Sequence, residues 1–140
     1  MLDKKRPTIV IFSHAYLPFL GGAETAIKGI TDELGDFNFV ILTGKYRPGL
    51  SREGKIGNVP VYRLGLGFSF DKFFLPIFAF LKFLSLRKKL SQPILFWAMM
   101  VSYSSIAAFF LKYFFPKIPL LLTIQEGDSE EHIHRARFGL

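Results

Sequence analysis

Short apolar runs recur along this chain, each too brief for a helix, and most are followed by a stretch of helical rhythm. Thr8-Ile9-Val10-Ile11-Phe12 is the first, as expected of a strand buried on both faces of a parallel sheet. A turn-rich stretch from Ser13 to Ala23 follows, with Pro18 and Gly21-Gly22 in it. Ala26, Ile27, Ile30 and Leu34 then recur at helical spacing, Lys28, Asp32 and Glu33 are placed to face water, and Gly35 is a helix stop. Phe37 to Leu42, Val59 to Leu64, Ile94 to Trp97 and Leu120 to Ile124 repeat the strand signal, with Pro60 fitting a strand start or a sheet edge. Phe73 to Lys89, broken or opened near Pro76, and Tyr103 to Phe114 repeat the helical one, while Thr43 to Asn58 reads as a long surface loop. Strands alternating with helices predict an α/β fold, an open parallel sheet with right-handed crossovers.

A chain of 140 residues, half of them apolar, buries the core of one domain without a disulfide or a metal. It has no cysteine, which removes disulfide scaffolds, thiolate zinc sites and cysteine nucleophiles. The charged N-terminus leads into an apolar run too short for a secretory signal, so the expectation is a cytoplasmic protein. The charge is uneven. Lys72, Lys82, Arg87, Lys88, Lys89, Lys112 and Lys117 lie in a stretch from 72 to 125 without Asp or Glu, and they account for the whole net charge of +7. These cations sit among Phe, Leu and Ile, a setting that suits an anionic membrane surface better than nucleic acid.

Pro93 to Leu111 carries no charge and approaches the length of a membrane span, yet Ser102 to Ser105 interrupt it where a strand would turn into a helix. The α/β alternation reads it as a buried strand and a buried helix. The helix before it differs. Phe73, Phe74, Ile77, Phe78, Phe80, Leu81, Phe83 and Leu84 cover too much of its circumference for one buried stripe, and Arg87-Lys88-Lys89 follow. Phe73, Phe74, Phe78 and these three cations are therefore interface candidates, toward a membrane on its inner face or toward a second domain.

Gly21-Gly22 lies between the first strand and the first helix, where parallel sheets bind ligands beyond their strand ends. Glycines there let the backbone approach a ligand and adopt positive φ, and the unsatisfied N–H groups of the helix start suit a diphosphate. Neither Gly-x-Gly-x-x-Gly nor a P-loop is present.

The wider segment Tyr16-Leu17-Pro18-Phe19-Leu20-Gly21-Gly22-Ala23-Glu24 resembles the N-terminal domain of family four glycosyltransferases, which carry Tyr-x-Pro-x-x-Gly-Gly-x-Glu at this point. Val40-Ile41-Leu42-Thr43 is similar to their next strand. The resemblance implies a Rossmann-like sheet with helices on both faces, the N-terminal half of a GT-B architecture, truncated or completed by a partner chain. It implies a retaining transfer of sugar from a nucleotide-sugar donor to a glycan or lipid-linked acceptor, with no cofactor and no metal. Gly21, Gly22, Tyr16 and His14 would line the donor side, with Glu24 in the first helical turn complementing its positive end. Where the family has a His, often His-Asp, after a later strand, this chain has Gln125-Glu126. Gln125 can hydrogen-bond a sugar hydroxyl but cannot act as acid or base, whereas Glu126 is a candidate catalytic base or a helix cap. A phosphate-binding module without chemistry and a membrane-associated partner subunit remain alternatives to the enzyme.

Overall fold

The structure, a computed structural model, describes residues 2–19 and 21–124. Their elements run β1 (Thr8–Phe12), α1 (Gly22–Glu33), β2 (Asn38–Gly44), β3 (Glu53–Ile56), β4 (Val59–Leu64), α2 (Asp71–Leu86), β5 (Ile94–Met99), α3 (Tyr103–Phe114) and β6 (Leu120–Thr123). They form one sheet in the order β3-β4-β2-β1-β5-β6. Every neighbouring pair is parallel except β3 with β4. Counted in chain order, the five parallel strands lie third, second, first, fourth, fifth, so the winding reverses between β1 and β5.

Alternation along the strands divides the core. Val10, Phe12, Val40, Leu42, Phe96 and Ala98 face α2 and α3, where they meet Ala79, Phe83, Ala107, Ala108 and Leu111. Ile11, Ile41, Val61, Trp97 and Met99 face the other way, toward Ile27 of α1 and the ring of Tyr16. Phe83 is the hub of the larger cluster, edge-on to Phe96 at 4.9 Å and to Phe115 at 5.8 Å. Helices therefore cover both faces of the sheet.

Three expectations need correction. The loop expected from Thr43 to Asn58 contains β3, so the sheet has six strands and is not wholly parallel. Gly57 at φ 62 is the first residue of a two-residue turn, and positive φ there folds Glu53–Ile56 back onto β4. Pro60, just inside β4, lies before the β2–β4 pairing begins at Val61, so its missing N–H costs that ladder nothing. α2 is not opened at Pro76: it runs unbroken from Asp71 to Leu86, with Leu75, Ala79 and Phe83 buried in one line on both sides of the proline. The charge-free stretch from Pro93 does divide into β5 and α3, but α3 is buried on one side only; Phe109, Phe110 and Tyr113 are exposed.

Candidate functional site

β1, β2 and β5 end close together at one edge of the sheet: Phe12, the last residue of β1, pairs with Leu42 and Ala98, and β2 runs on to Gly44 and β5 to Met99. The chain leaves these ends through Ser13-His14, Lys45-Tyr46 and Met100-Val101, and the starts of α1 and α3 stand beside the same edge. The two helix starts lie on opposite sides of the point where the winding reverses; that of α1 has no side-chain cap, whereas Ser102 and Ser105 close that of α3 with a capping box.

Gly44, which closes β2, sets the geometry of this edge. A Cβ there would collide with the ring of Tyr46, which folds back over the glycine. Tyr46 itself sits at φ 58, a left-handed conformation that costs an aromatic residue on the order of 1–3 kcal/mol. The result is a contact between strand ends: the Tyr46 hydroxyl lies 3.2 Å from His14 Nδ1, with ring centroids 5.1 Å apart. Tyr103, from the start of α3, places its ring 6.2 Å from that of His14, and Phe73 of α2 meets Tyr103 edge-on at 5.5 Å.

Two buried charged side chains hold the loops around this cluster. Asp71 accepts backbone N–H bonds from Leu66 at 3.0 Å, Gly67 at 2.7 Å and Phe68 at 3.0 Å, which fixes the turn between β4 and α2. Arg63 donates from Nη2 to the Leu17 carbonyl at 3.0 Å and from Nη1 to that of Ser51 at 3.4 Å, tying the segment before Gly21 to β4.

Electrostatics follow from this packing. Burial pushes the His14 imidazole below its ordinary 6.5; the Lys72 ammonium adds to the fall and the Glu24 carboxylate opposes it. His14 is thus neutral near pH 7. Burial, with the negative charge of Asp71, pushes the Tyr46 phenol far up, so it stays protonated beside His14 Nδ1, where the imidazole tautomer sets which group donates. A phenol that donates there places the imidazole proton on Nε2.

The glycine pair differs from expectation in one respect. Gly21 caps α1 in extended backbone, φ −149 and ψ −177, and Gly22 is the first residue of the helix; neither has positive φ. Their use lies in access. A Cβ on Gly21 would come within 2.5 Å of Glu24 Oε2, because the Glu24 carboxylate folds back against the helix start. A Cβ on Gly22 would meet nothing within 4 Å. Glu24 thus supplies the helix end with its own negative charge, and an incoming anion would compete with it.

The structure brings together His14, Gly21, Gly22 and Glu24 from the sequence-derived set. Tyr16 stands apart: it is 2% exposed in the core beneath α1, so its ring is packing. Gln125 and Glu126 lie outside the described residues. Phe73, Phe74, Arg87, Lys88 and Lys89 are exposed, whereas Phe78 is half-buried and lines an open groove of about 460 Å³ with Tyr62, Arg63 and Lys82. Tyr46, Tyr103 and Lys72 were not singled out from sequence as site residues. Tyr46 lies on the connection after β2, Tyr103 opens α3 and Lys72 lies in the first turn of α2, and only the strand order makes them neighbours of His14.

Among the described residues no cluster of three or more acidic or histidine side chains could hold a metal ion, and no helix is long and apolar enough to cross a membrane. No protein-family model matches the chain, and no curated protein or solved structure matches it either.

Proposed function

We propose that this chain is the Rossmann-like, acceptor-side half of a retaining GT-B glycosyltransferase that uses a nucleotide-sugar donor. One observation carries the reading. The Tyr16–Glu24 segment, which resembles the glycine loop of family four glycosyltransferases, joins the end of β1 to the start of α1 where the winding reverses. Doubly wound sheets bind their ligands in that crevice. The open approach to Gly22 leaves room for a diphosphate at the helix start, with Glu24 swinging aside or receiving a sugar hydroxyl.

In this reading Tyr46, 3.2 Å from His14 Nδ1, donates to it and leaves the Nε2 proton to be donated to a phosphate or sugar oxygen. The ring of Tyr103 offers a flat apolar surface against which a sugar ring can pack. Gln125 and Glu126, which follow β6, would meet the acceptor. The second GT-B domain supplies most donor contacts, so the isolated chain binds weakly and does not transfer sugar.

The test is a ¹⁵N–¹H NMR titration of the chain with UDP, GDP and ADP at millimolar concentration. Amide shifts confined to residues 13–25, 44–46 and 100–104 are the expected outcome. Shifts mapping elsewhere, or none with any nucleotide, overturn the site. Sugar transfer by the purified 140-residue chain overturns the half-enzyme reading.

A further inference from the structure

We infer that the outer surface of the α2–α3 layer is a docking face for an anionic lipid bilayer, on which the protein lies without crossing it. A helix that covers a sheet normally turns its polar residues away from the core. Here the sides opposite the core are apolar on both helices. On α2, Phe73 is 58% exposed, Ile77 58% and Leu81 55%, all opposite the buried line Leu75, Ala79 and Phe83. On α3, Phe110 is 56% exposed and Tyr113 80%, opposite Ala107, Ala108 and Leu111.

The two faces are continuous. Phe73 touches Tyr103 at one end of the helix pair, and Phe80 meets Phe114 at 5.6 Å toward the other. The helices therefore run side by side in the same direction, and their aromatic sides form one surface. Phe109, Phe110 and Tyr113 also line an open apolar groove of about 540 Å³.

Charge selects the occupant. Arg87, Lys88 and Lys89 are exposed after the end of α2, and Lys117 after the end of α3. Lys82 and Lys112 do not count toward this rim. Lys82 pairs with Glu53 at 3.2 Å, and Lys112 donates to the carbonyls of Pro116 and Ile118. From residue 72 to 125 the chain has no Asp or Glu. A second copy docked through the same layer would bring cations and no carboxylate to meet them, whereas an anionic lipid surface meets both the aromatic face and the cationic end. The Phe73 end of the face adjoins Tyr103 and His14, so docking would hold the crevice beside the lipid surface. The inference stands without any assignment of the reaction.

Sedimentation with vesicles tests it, comparing pure phosphatidylcholine with phosphatidylcholine containing one third phosphatidylglycerol. Binding to the anionic vesicles alone, weakened by salt, is expected. The triple variant Arg87→Gln, Lys88→Gln, Lys89→Gln should lose on the order of a hundredfold in affinity. The pair Phe110→Glu and Tyr113→Glu should abolish binding while leaving the thermal transition in place, because both side chains are exposed. A Tyr113→Trp variant should shift its emission to the blue on anionic vesicles only; the native Trp97 is buried at 5% and gives a constant background. Equal binding to neutral vesicles, no binding at low salt, or retention of full affinity by the triple variant overturns the proposal. So does a concentration-dependent dimer, abolished by Phe110→Glu, in a protein that ignores vesicles.

Discussion

The two sides of the sheet obey different rules. α1 has a polar outer side, with Thr25, Asp32 and Glu33 exposed and a Lys28–Asp32 pair at 2.7 Å, but it buries only Ile27 completely. α2 and α3 bury close-packed lines of side chains and then present Phe, Ile, Leu and Tyr to the outside as well. The thinly packed side carries the glycine turn, and the thickly packed side carries the exposed apolar surface. Packing is thus unequally divided between the two faces of the sheet, while the cluster around His14 draws on both.

The first way to break this contrast is to cut one core residue on each side. Phe83→Ala removes a ring that is 1% exposed and packed edge-on against Phe96 and Phe115, and should cost about 3–5 kcal/mol. Ile27→Ala removes the single fully buried side chain of α1 and should cost about 2 kcal/mol, at the low end for such truncations, because so little else of that helix is buried. Urea unfolding followed by circular dichroism measures both. Equal losses would mean that α1 is as deeply integrated as α2, and the division of labour would fail.

How much of this was legible in the sequence depended on whether the signal was local. β1, β2, β4, β5 and β6 announce themselves as short apolar runs, and Ser102 to Ser105 separate β5 from α3 within a stretch long enough to suggest a span. β3 was hidden because Glu53-Gly54-Lys55-Ile56 has no apolar alternation; its one clue is the Gly57-Asn58 turn, a two-residue pattern that favours hairpins. The outer side of α3 was hidden for another reason. Periodicity separates apolar from polar sides, and a helix apolar all round reads as buried whether or not anything covers it. His14 could be placed near the strand ends from its position after β1. Its partners could not, because Tyr46 is brought to it by the left-handed turn after Gly44, and Tyr103 by the reversal of strand order.

Gly44 offers the next test, since it joins the two sides at the edge of the sheet. Gly44→Ala forces the Tyr46 ring off its place and should cost about 1–3 kcal/mol, as overpacking does. Tyr46→Phe keeps the ring and removes only the hydroxyl, for a loss of about 0.5–1.5 kcal/mol. Both changes should also alter the NMR signals of the His14 ring, while the outer face of α2 and α3 is unaffected. An unchanged His14 spectrum in Gly44→Ala would show that Tyr46 does not position it.

The smallest effect is the most specific to the α1 side. Lys72, at the start of α2, lowers the His14 pKa, and Glu24, near the start of α1, raises it, so this imidazole registers charges from both layers. Lys72→Met should move the His14 titration up toward 6.5, and Glu24→Gln should move it further down. The stability linkage has a fixed sign. A histidine whose folded pKa lies below its unfolded value favours the native state above pH 6.5, and that contribution fades as the pH falls from 6.5 through the lowered folded value. NMR titration of the His14 ring in the three proteins separates the terms. Opposite shifts in the two variants confirm that the layers converge on this residue; shifts of the same sign, or a shift in neither, would leave burial alone as the cause and detach the crevice from α1 and α2.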